Sequence, residues 1–420
     1  MTSGGPRVVV VGGGVIGISC AYYLSRGGAQ VTVLERDRVG SGASSGNAGT
    51  VAAGHPPLNR PGRVRQALSA MTDPTSPLYV KPRWDPALWR WLLGFTRYCT
   101  DAHVEHCMQV MAPLGKDSLA LFDDLIAEER IECGYRRDGF YEICSSEEGL
   151  SGVRHEADVI RRHGYSPEEL DGDELRRREP ELGPTAIGGV YHSEAATLDP
   201  ARFLTRLTAA SERYGCVIVE GEGVERVSHS GSRVTGVRDR SGKDHPADFV
   251  ILATGPFSLG VARRFGTRIP VQPGKGYHRD VDIGPNGAPR LRTACVLAET
   301  SVFCTPMDTA VRFAGTMEFS GENDVLRPAR LAQLTRAARA AFPAMGTARP
   351  ISQWCGLRPV SVDGLPLVGS ISGVDGLRVA TGHGMLGLTL GPVTGQMVAN
   401  DILGEEDTRA ASLAPRRFGG

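Results

Sequence analysis

The sequence predicts an α/β fold in which a Rossmann-like dinucleotide-binding domain carries an inserted α+β domain. Three observations support this prediction: a β-branched run followed by a glycine-rich turn near the N-terminus, a change of composition from about residue 56 to residue 195, and a second glycine-rich stretch near the C-terminus. The chain has 420 residues. A single hydrophobic core stops growing below this size, so we expect two domains.

The N-terminal motif predicts dinucleotide binding. Arg7–Val11 is a short β-branched run of the kind found in strands buried on both faces. The six residues after it match GxGxxG, in which Gly12 allows the turn, Gly14 lets the backbone approach a pyrophosphate, and Gly17 lets the following helix lie close to the sheet. A second strand then delivers Glu35 where an acid meets a ribose. The alternative is an ordinary βαβ unit without a ligand.

A loop of small residues follows Glu35, at positions 40–49. An NAD enzyme would normally continue directly into further βα units, whereas this loop offers backbone N–H groups and hydroxyls to phosphate and ribityl oxygens. By composition alone, a flexible linker explains the same residues equally well.

The predicted binding domain is split in sequence. Prolines and tryptophans mark the start of the insert, and Rossmann-like sequence resumes at Asp199, an N-cap with Pro200 at the first helical position. A buried strand, Phe249–Leu252, follows later. The predicted binding domain therefore comprises residues 1–55, 196–265 and 351–420, and the insert comprises residues 56–195 and 266–350.

Composition excludes several classes of protein. Lys+Arg and Asp+Glu both number 47, so no basic footprint for nucleic acid is present. The nine cysteines are scattered without a CxxC pair, which favours reduced thiols and a cytoplasmic location. Glycines interrupt the apolar run at residues 8–24, which predicts strand, turn and helix rather than a signal peptide. We expect no transmembrane segment, and peripheral contact with the inner face of a membrane stays open.

A metal site is weakly suggested by His103, His106 and Cys107, since positions three apart share a helix face. No other group of metal-ligating residues supports it. We therefore expect no metal.

Taken together, the motifs resemble the D-amino-acid oxidase superfamily of flavoproteins, and most closely its D-amino-acid dehydrogenase branch. They follow the family's order across nearly the whole chain, and their specificity comes from that order rather than from any single motif. The matching residues are 11–17 with Glu35, 44–49, 273–277, 312–318, 356–359 with 363–366, and 381–384 with Gly387.

The resemblance implies FAD, held on a Rossmann-like domain of the glutathione-reductase type, and a substrate domain built on a mixed or antiparallel sheet. Glu35 and Arg36 are expected at the adenosine, Val224 at the adenine, and His383 with the residues after it at the isoalloxazine. The expected cofactor residues are Gly12, Gly14, Val15, Ile16, Gly17, Glu35, Arg36, Ser44, Ser45, Asn47, Ala48, Gly49, Val224, Gly255, Gly382, His383, Gly384, Met385, Leu386, Gly387, Leu388 and Thr389.

Four residues are candidates for the reacting side of the site. Arg358 corresponds to the arginine that pairs with the substrate carboxylate, a role that suits a planar guanidinium. Tyr277 and Arg312 are candidates for the substrate face, with packing and a salt bridge as their respective alternatives. His383 lies between glycines, which indicates close approach to the cofactor more than the role of a base.

The resemblance implies oxidative deamination of a D-amino acid or of a cyclic substrate such as D-proline or hydroxyproline. FAD would take the Cα hydride at N5, and the resulting imine would yield a 2-oxo acid and ammonia. Three alternatives stay open: oxidation of a secondary amine of the sarcosine-oxidase or glycine-oxidase type or of an amine in a biosynthetic intermediate, a flavin-binding subunit without chemistry of its own, and an NAD(P) enzyme.

Two positions matter in the comparison with the resembling sarcosine oxidases. Cys355 lies where those enzymes carry the cysteine bonded to flavin, although the residues after it differ, and an inert packed thiol is the alternative. Near the position of Arg312 those oxidases have a lysine thought to engage oxygen. Its absence favours a dehydrogenase that passes electrons to a quinone or another carrier over one that uses oxygen.

Overall fold

The computed structural model describes residues 4–64, 76–263, 269–283 and 291–419. Its two large sheets are a six-stranded, mainly parallel sheet and a nine-stranded mixed sheet. This arrangement confirms the predicted α/β class with an inserted domain.

The strands are β1 (Arg7–Val11), β2 (Gln30–Leu34), β3 (Thr50–Ala52), β4 (Leu78–Val80), β5 (Phe140–Cys144), β6 (Glu168–Asp171), β7 (Gly188–His192), β8 (Ala195–Thr197), β9 (Val217–Val219), β10 (Val224–Ser230), β11 (Arg233–Asp239), β12 (Asp244–Pro246), β13 (Phe249–Leu252), β14 (Val271–Asp282), β15 (Ala294–Leu297), β16 (Val302–Pro306), β17 (Ala310–Phe319), β18 (Pro350–Ser361), β19 (Leu367–Ser370) and β20 (Leu377–Thr381). The α-helices are α1 (Val15–Arg26), α2 (Pro86–Arg97), α3 (Asp101–Glu129), α4 (Glu147–Arg162), α5 (Gly172–Arg178), α6 (Pro200–Arg213), α7 (Ser258–Arg263), α8 (Pro328–Ala341) and α9 (Gly391–Leu403).

The six-stranded sheet has the order β19-β20-β13-β1-β2-β9, and only β19 runs antiparallel to its neighbour. In β1 the four valines after Arg7 are buried, as expected for a strand covered on both faces. Because β1 lies between β2 and β13, the carboxyl ends of three parallel strands meet beside the glycine turn that follows β1. Ligands of open α/β sheets bind at such an edge.

Helix α1 packs closely against α9, which joins the two ends of the chain. A side chain at Gly395 would begin 2.5 Å from the backbone carbon of Ser19, so only a glycine permits this approach. Ile18 and Tyr22 of α1 are buried. The predicted N-cap at Asp199 is also confirmed, because its carboxylate accepts from two backbone N–H groups in the first turn of α6.

The nine-stranded sheet has the order β18-β14-β17-β16-β15-β5-β7-β6, and β4 pairs with β17. Its pairs are antiparallel except β15 with β5 and β17 with β4. A mixed sheet of this kind matches the expectation for the second domain.

Two elements lie differently from the boundaries set by the sequence. Strand β18 begins where the binding domain was expected to resume, yet it pairs with β14 along its whole length in the nine-stranded sheet. Helix α3 falls within the predicted insert, but Phe122 on it packs against Phe203 of α6, with ring centroids 5.1 Å apart. Apolar periodicity shows that an element buries one face, and it does not show which neighbour covers that face.

The two domains meet at the loop that follows β2. The Arg312 guanidinium pairs with Asp280 through two hydrogen bonds of 2.8 and 3.0 Å and donates another of 2.8 Å to the carbonyl oxygen of Asn47. Beside it, His278 Nδ1 lies 2.9 Å from the carbonyl oxygen of Gly46. A carbonyl only accepts, so Nδ1 of His278 carries a proton. Strands β14 and β17 therefore hold the loop from outside the binding domain.

Acid conditions are expected to loosen this junction through His278. Burial, followed by the charge of Arg312, lowers the pKa of His278 to about 4, whereas an unfolded histidine titrates near a pKa of about 6.5. Below about pH 6.5 the unfolded chain therefore takes up a proton that the folded chain refuses, and stability falls as the pH drops towards about 4. We expect His278→Gln to reduce the loss of unfolding free energy between about pH 6.5 and 5 by roughly 1–2 kcal/mol, measured by urea denaturation. The exposed His229→Gln variant is the control, and an unchanged pH slope in His278→Gln would contradict the assignment.

Candidate active site

A cavity of about 1060 Å³ lies at the carboxyl ends of the parallel strands and extends across one face of the nine-stranded sheet. Both glycine-rich ends of the chain contribute to its wall. The predicted cofactor residues on the wall are Gly12, Gly14, Val15, Ile16, Glu35, Arg36, Ser44, Asn47, Ala48, Val224, Gly255, His383, Gly384, Met385, Leu386, Gly387, Leu388 and Thr389.

Four other predicted cofactor residues do not line this cavity. Gly17 packs against the carbonyl oxygen of Gly12, which is the close helix–strand contact expected of it. Ser45 presents its carbonyl oxygen to Arg312, and Gly49 donates its N–H to the side chain of Asn47. Gly382 lies against the side chain of Leu367. These residues shape the backbone behind the wall.

The turn between β1 and α1 is built for close approach of a ligand. Gly12 has φ of +110°, and a Cβ atom there would lie 2.5 Å from the carbonyl oxygen of Ala253. Gly14 is the N-cap of α1 and has no side chain to cover the helix end. The positive end of the helix dipole therefore faces the cavity. The N–H of Val15 donates to the hydroxyl of Ser44 at 2.9 Å, which draws the small-residue loop over the helix end.

Glu35 braces the same turn. Its carboxylate accepts from the N–H of Gly13 at 2.7 Å and from the N–H of Asp37 at 3.0 Å, while the side chain lies on the cavity wall. The next residue, Arg36, places its guanidinium carbon 3.9 Å from the ring centroid of Phe257. The Glu35 carboxylate and the Arg36 guanidinium, which stacks on Phe257, thus lie side by side at this end of the cavity.

His383 stands at the other glycine-rich end. Its Nε2 is 3.0 Å from the hydroxyl of Thr394, and its Nδ1 is buried without a hydrogen-bond partner among the described residues. Burial lowers the pKa of His383 to about 3, so the ring is neutral at ordinary pH. A buried polar atom on a cavity wall without a protein partner is what a bound polar ligand would satisfy.

Arg358 projects from β18 into the cavity. One terminal nitrogen donates to the carbonyl oxygen of Thr316 at 2.6 Å, and no described carboxylate forms an ion pair with the guanidinium. Burial lowers the pKa of Arg358 to about 10, a direction that an adjacent carboxylate would oppose. The group stays charged and has donors left over for an anion.

A glycine makes room for this guanidinium. A Cβ atom at Gly276 would collide with the guanidinium carbon and both terminal nitrogens of Arg358, so the side chain can lie across β14 only because this position has none. Gly274, two residues earlier, leaves similar room for the sulfur of Met317. The two glycines of the 273–277 motif thus leave the space that side chains from the neighbouring strands occupy.

Two predicted substrate-facing residues lie elsewhere. Tyr277 is only 1% exposed and donates from its hydroxyl to Glu318 at 3.1 Å, on the side of β14 away from the cavity. Glu318 also faces Lys275 at 3.6 Å and Arg330 at 3.3 Å. Arg312 holds the loop described above. Neither Tyr277 nor Arg312 lines the cavity, so their expected place at the substrate is not confirmed. Strand alternation turns Tyr277 to the face of β14 opposite Gly276, whereas Arg312 is further along β17 and is held by Asp280 and the loop carbonyls.

Sequence reasoning missed several wall residues. Trp354 stacks on His278 with ring centroids 5.2 Å apart and covers Gly46, where any side chain would strike its ring. Thr254 and Phe257 follow β13 at the sheet edge and line the cavity. The Ala-Thr-Gly sequence there was only a weak indication of a binding segment. Glu142 enters from β5 of the insert, and nothing in its sequence context distinguished it from a surface acid.

Cys355, His103 and Cys107, which the sequence singled out, each contact neighbouring groups of the protein. Cys355 lies on the cavity wall, its thiol donates to the carbonyl oxygen of Asp324 at 3.2 Å, and burial raises its pKa. His103 Nε2 lies 2.7 Å from the carbonyl oxygen of Asp363 and 3.2 Å from the sulfur of Cys107. Within the described ranges no three metal-ligating side chains converge, and no helix has the length and apolarity to cross a bilayer.

Comparison with known proteins gives the family. The family model described as FAD dependent oxidoreductase, abbreviated DAO, matches residues 7–400. The chain is 34% identical to a D-amino acid dehydrogenase of Methylobacterium nodulans, over 99% of this chain and 98% of that protein. It is 33% identical to the enzyme of the same name from Xanthobacter autotrophicus, over 98% of this chain and 99% of that one. The chain therefore belongs to the DAO family of FAD-dependent oxidoreductases.

Solved structures share the fold. Glycine oxidase from Bacillus cereus superposes with a TM-score of 0.77 at 24% identity, covering 97% of each chain. L-proline dehydrogenase from P. horikoshii superposes with a TM-score of 0.78 at 18% identity, covering 99% of this chain and 98% of the other. FAD is the cofactor of the family. The glycine turn at a helix N-terminus, the acid after β2 and the unpartnered Nδ1 of His383 fit it.

Loss of the Glu35 carboxylate is expected to weaken FAD binding. We expect Glu35→Ala to raise the Kd for FAD about 10- to 100-fold, the equivalent of one hydrogen bond to a charged group at roughly 1.5–3 kcal/mol. Quenching of flavin fluorescence on titration of the apoprotein measures the Kd. Glu406→Ala, at an exposed acid remote from the cavity wall, is the control. Equal Kd values for Glu35→Ala and the unmodified chain would contradict the role of Glu35.

Proposed function

We propose that this protein is an FAD-dependent D-amino-acid dehydrogenase, which oxidises the Cα–N bond of its substrate to an imine that water converts to a 2-oxo acid and ammonia. The observation that carries the proposal is Arg358, a charged guanidinium on the cavity wall without a carboxylate partner among the described residues. The names of the relatives supply the substrate class.

Arg358 suits the carboxylate of an amino acid for a geometric reason. Its Nη1 is engaged by Thr316, which fixes the plane of the guanidinium and leaves the other nitrogens for a ligand. A planar fork of N–H donors matches a carboxylate bidentately. Inside a cavity this pairing is stronger than it would be at the open surface. Arg358 therefore fixes one end of the substrate.

The residues at the two glycine-rich ends hold the cofactor in this proposal. Glu35 and Arg36 would hold the adenosine, the N-terminus of α1 with Ser44 would hold the pyrophosphate, and His383 with its neighbours would hold the ring system. When bound, FAD supplies the oxidant that takes the hydride from Cα. The chain positions the substrate, excludes water and lets the amine lose its proton before the transfer.

Oxidation of a secondary amine is the second candidate function. The fold is shared with L-proline dehydrogenase, whose named substrate is a secondary amine, and Arg358 would serve an N-substituted glycine equally well. A flavin subunit that depends on a partner is the third, and turnover by the purified chain alone would exclude it.

The electron acceptor in this proposal is a quinone or another carrier rather than oxygen. Arg312 is near the position at which the resembling oxidases have a lysine, and it is tied to Asp280 and the loop carbonyls and is not on the cavity wall. We also propose a cytoplasmic location, with which the free cysteines of the described residues are consistent.

A substrate panel tests the function directly. With an artificial dye as acceptor, we expect reduction of the bound flavin by several D-amino acids, cyclic ones such as D-proline included, and little by their L-enantiomers. Sarcosine and other N-substituted glycines form the second arm, and the amines that lack a carboxylate form the third. Stopped-flow bleaching of the flavin absorbance under anaerobic conditions is the measurement. Bleaching by sarcosine alone would move the assignment to the second candidate, and bleaching by no compound would reject both.

A further inference from the structure

Glu142 of β5 reaches the cavity with part of its carboxylate unused. The side chain lines the cavity and is 18% exposed, and one of its oxygens lies 3.0 Å from Nε2 of His192. No hydrogen bond from a described residue reaches the other oxygen. A carboxylate that is held by one neighbour and open to a cavity can accept a donor from a ligand.

The Glu142 carboxylate is ionised. Burial by itself would raise its pKa, but the hydrogen bond from His192 and the positive groups nearby outweigh burial and bring the pKa of Glu142 below its usual value. Arg60 forms its ion pair with Glu156, and the charge of Glu156 also acts on Arg63. No lysine or arginine of the described residues forms an ion pair with Glu142. Its negative charge is therefore available to a cationic ligand.

A row of paired residues crosses the nine-stranded sheet from Glu142 towards Arg358. Glu142 is opposite Val296 of β15, which is opposite Phe303 of β16. Phe303 in turn is opposite Ala314 of β17. Residues directly opposite each other share one face of a sheet, and all four line the cavity. We call Ala314, Phe303, Val296 and Glu142 the cross-strand row; its floor is apolar and one end is a carboxylate.

Arg358 is held at the other end of this row. Thr316, whose carbonyl oxygen accepts from Arg358, is two residues beyond Ala314 on β17. Thr316 has φ of +63°, a left-handed conformation that is rare outside glycine, and it lies at an irregularity in the pairing of β17 with β14. The backbone is thus distorted at the point that fixes the guanidinium, and a cation and an anion face the cavity from opposite ends of one apolar row.

The separation of these two charges suits a long side chain. Neighbouring strands are about 4.8 Å apart, so β17 and β5, which are three strands apart, are separated by roughly 14–16 Å once the offset along β17 is included. A charge-assisted hydrogen bond at each end takes up about 6 Å of this span. The remaining distance of roughly 8–10 Å corresponds to about seven or eight bonds, because an extended chain advances about 3.5 Å in three bonds. Extended lysine and arginine have this length from the carboxylate oxygen to the terminal nitrogen.

We propose that the cross-strand row is the slot for the substrate side chain, and that Glu142 selects D-amino acids whose long aliphatic side chain ends in an ammonium or guanidinium group. This assignment rests on the proposed oxidation of D-amino acids and names the substrate class within it. Arg358 binds the α-carboxylate, the apolar floor packs against the methylene groups, and Glu142 binds the cation. An acidic side chain of the same length meets repulsion at Glu142.

Pairs of substrates that differ only at the end of the side chain test this assignment. D-Lysine is compared with D-norleucine, which has the same carbon chain without the ammonium, and D-arginine with D-citrulline, in which a neutral urea replaces the guanidinium. Dye-linked turnover of the flavin-loaded protein near neutral pH gives kcat/KM for each. We expect each cationic substrate to exceed its neutral partner about 10- to 100-fold, as one hydrogen bond between charged groups contributes, and D-glutamate to be poorer than D-norleucine.

Variants of Glu142 then link the preference to this carboxylate. Glu142→Gln keeps the size of the side chain and an acceptor for His192 but removes the charge, so the ratio of kcat/KM for D-lysine to that for D-norleucine should fall about 10- to 100-fold, towards unity. Glu142→Asp, which keeps a charge at shorter reach, should retain part of the ratio. Glu148→Gln removes an exposed acid of the same domain that is not on the cavity wall and should leave the ratio unchanged. Because the ratio does not depend on the folded fraction, a variant that folds poorly still reports the selectivity.

Three results overturn the assignment and leave the proposed function standing. They are equal kcat/KM for D-lysine and D-norleucine, an unchanged ratio in Glu142→Gln, and a preference for D-glutamate over D-lysine, each with reduction of the flavin by D-norleucine. Reduction of the flavin by no D-amino acid, by contrast, overturns the proposed function and this assignment together.

Discussion

A guanidinium held away from bulk water without a carboxylate beside it is energetically costly, and the cavity wall is arranged to hold one. Arg358 crosses β14 at a position where glycine provides the space, and the Thr316 carbonyl fixes one of its nitrogens. Burial lowers its pKa but leaves it charged. An arrangement of this kind is stabilised when an anion arrives, which links the fold of the insert to a substrate that carries a carboxylate.

That charge matters only because the two domains meet around one cavity. The parallel sheet places the turn at Gly12 and the loop at His383 on the same edge, although most of the chain separates them in sequence. The nine-stranded sheet then covers this edge, and Arg312 and His278 anchor it to the loop after β2. The cofactor end and the substrate end of the site are thus fixed relative to each other by strands of both domains.

Local sequence was enough to predict the first strand, its glycine turn, Glu35 and the cap at Asp199, because each depends on neighbours close in the chain. The role proposed for Arg358 came from resemblance to the family. The positions of Tyr277 and Arg312 were not predictable: both lie in matching motifs, yet the pairing of β14 and β17 turns them towards Glu318 and Asp280. Membership of β18 in the second sheet was missed for a related reason, since pairing partners of a long strand are set by the whole topology.

The most direct test is the steady-state kinetics of Arg358→Ala and Arg358→Lys on the best D-amino acid, with flavin content matched. Removing one partner of a desolvated charge pair costs about 2–5 kcal/mol, so kcat/KM should fall at least about 30-fold in Arg358→Ala, with FAD still bound. Arg358→Lys should recover part of that loss through its charge and not all of it, because an ammonium lacks the planar fork. Unchanged kcat and KM in Arg358→Ala would contradict the account.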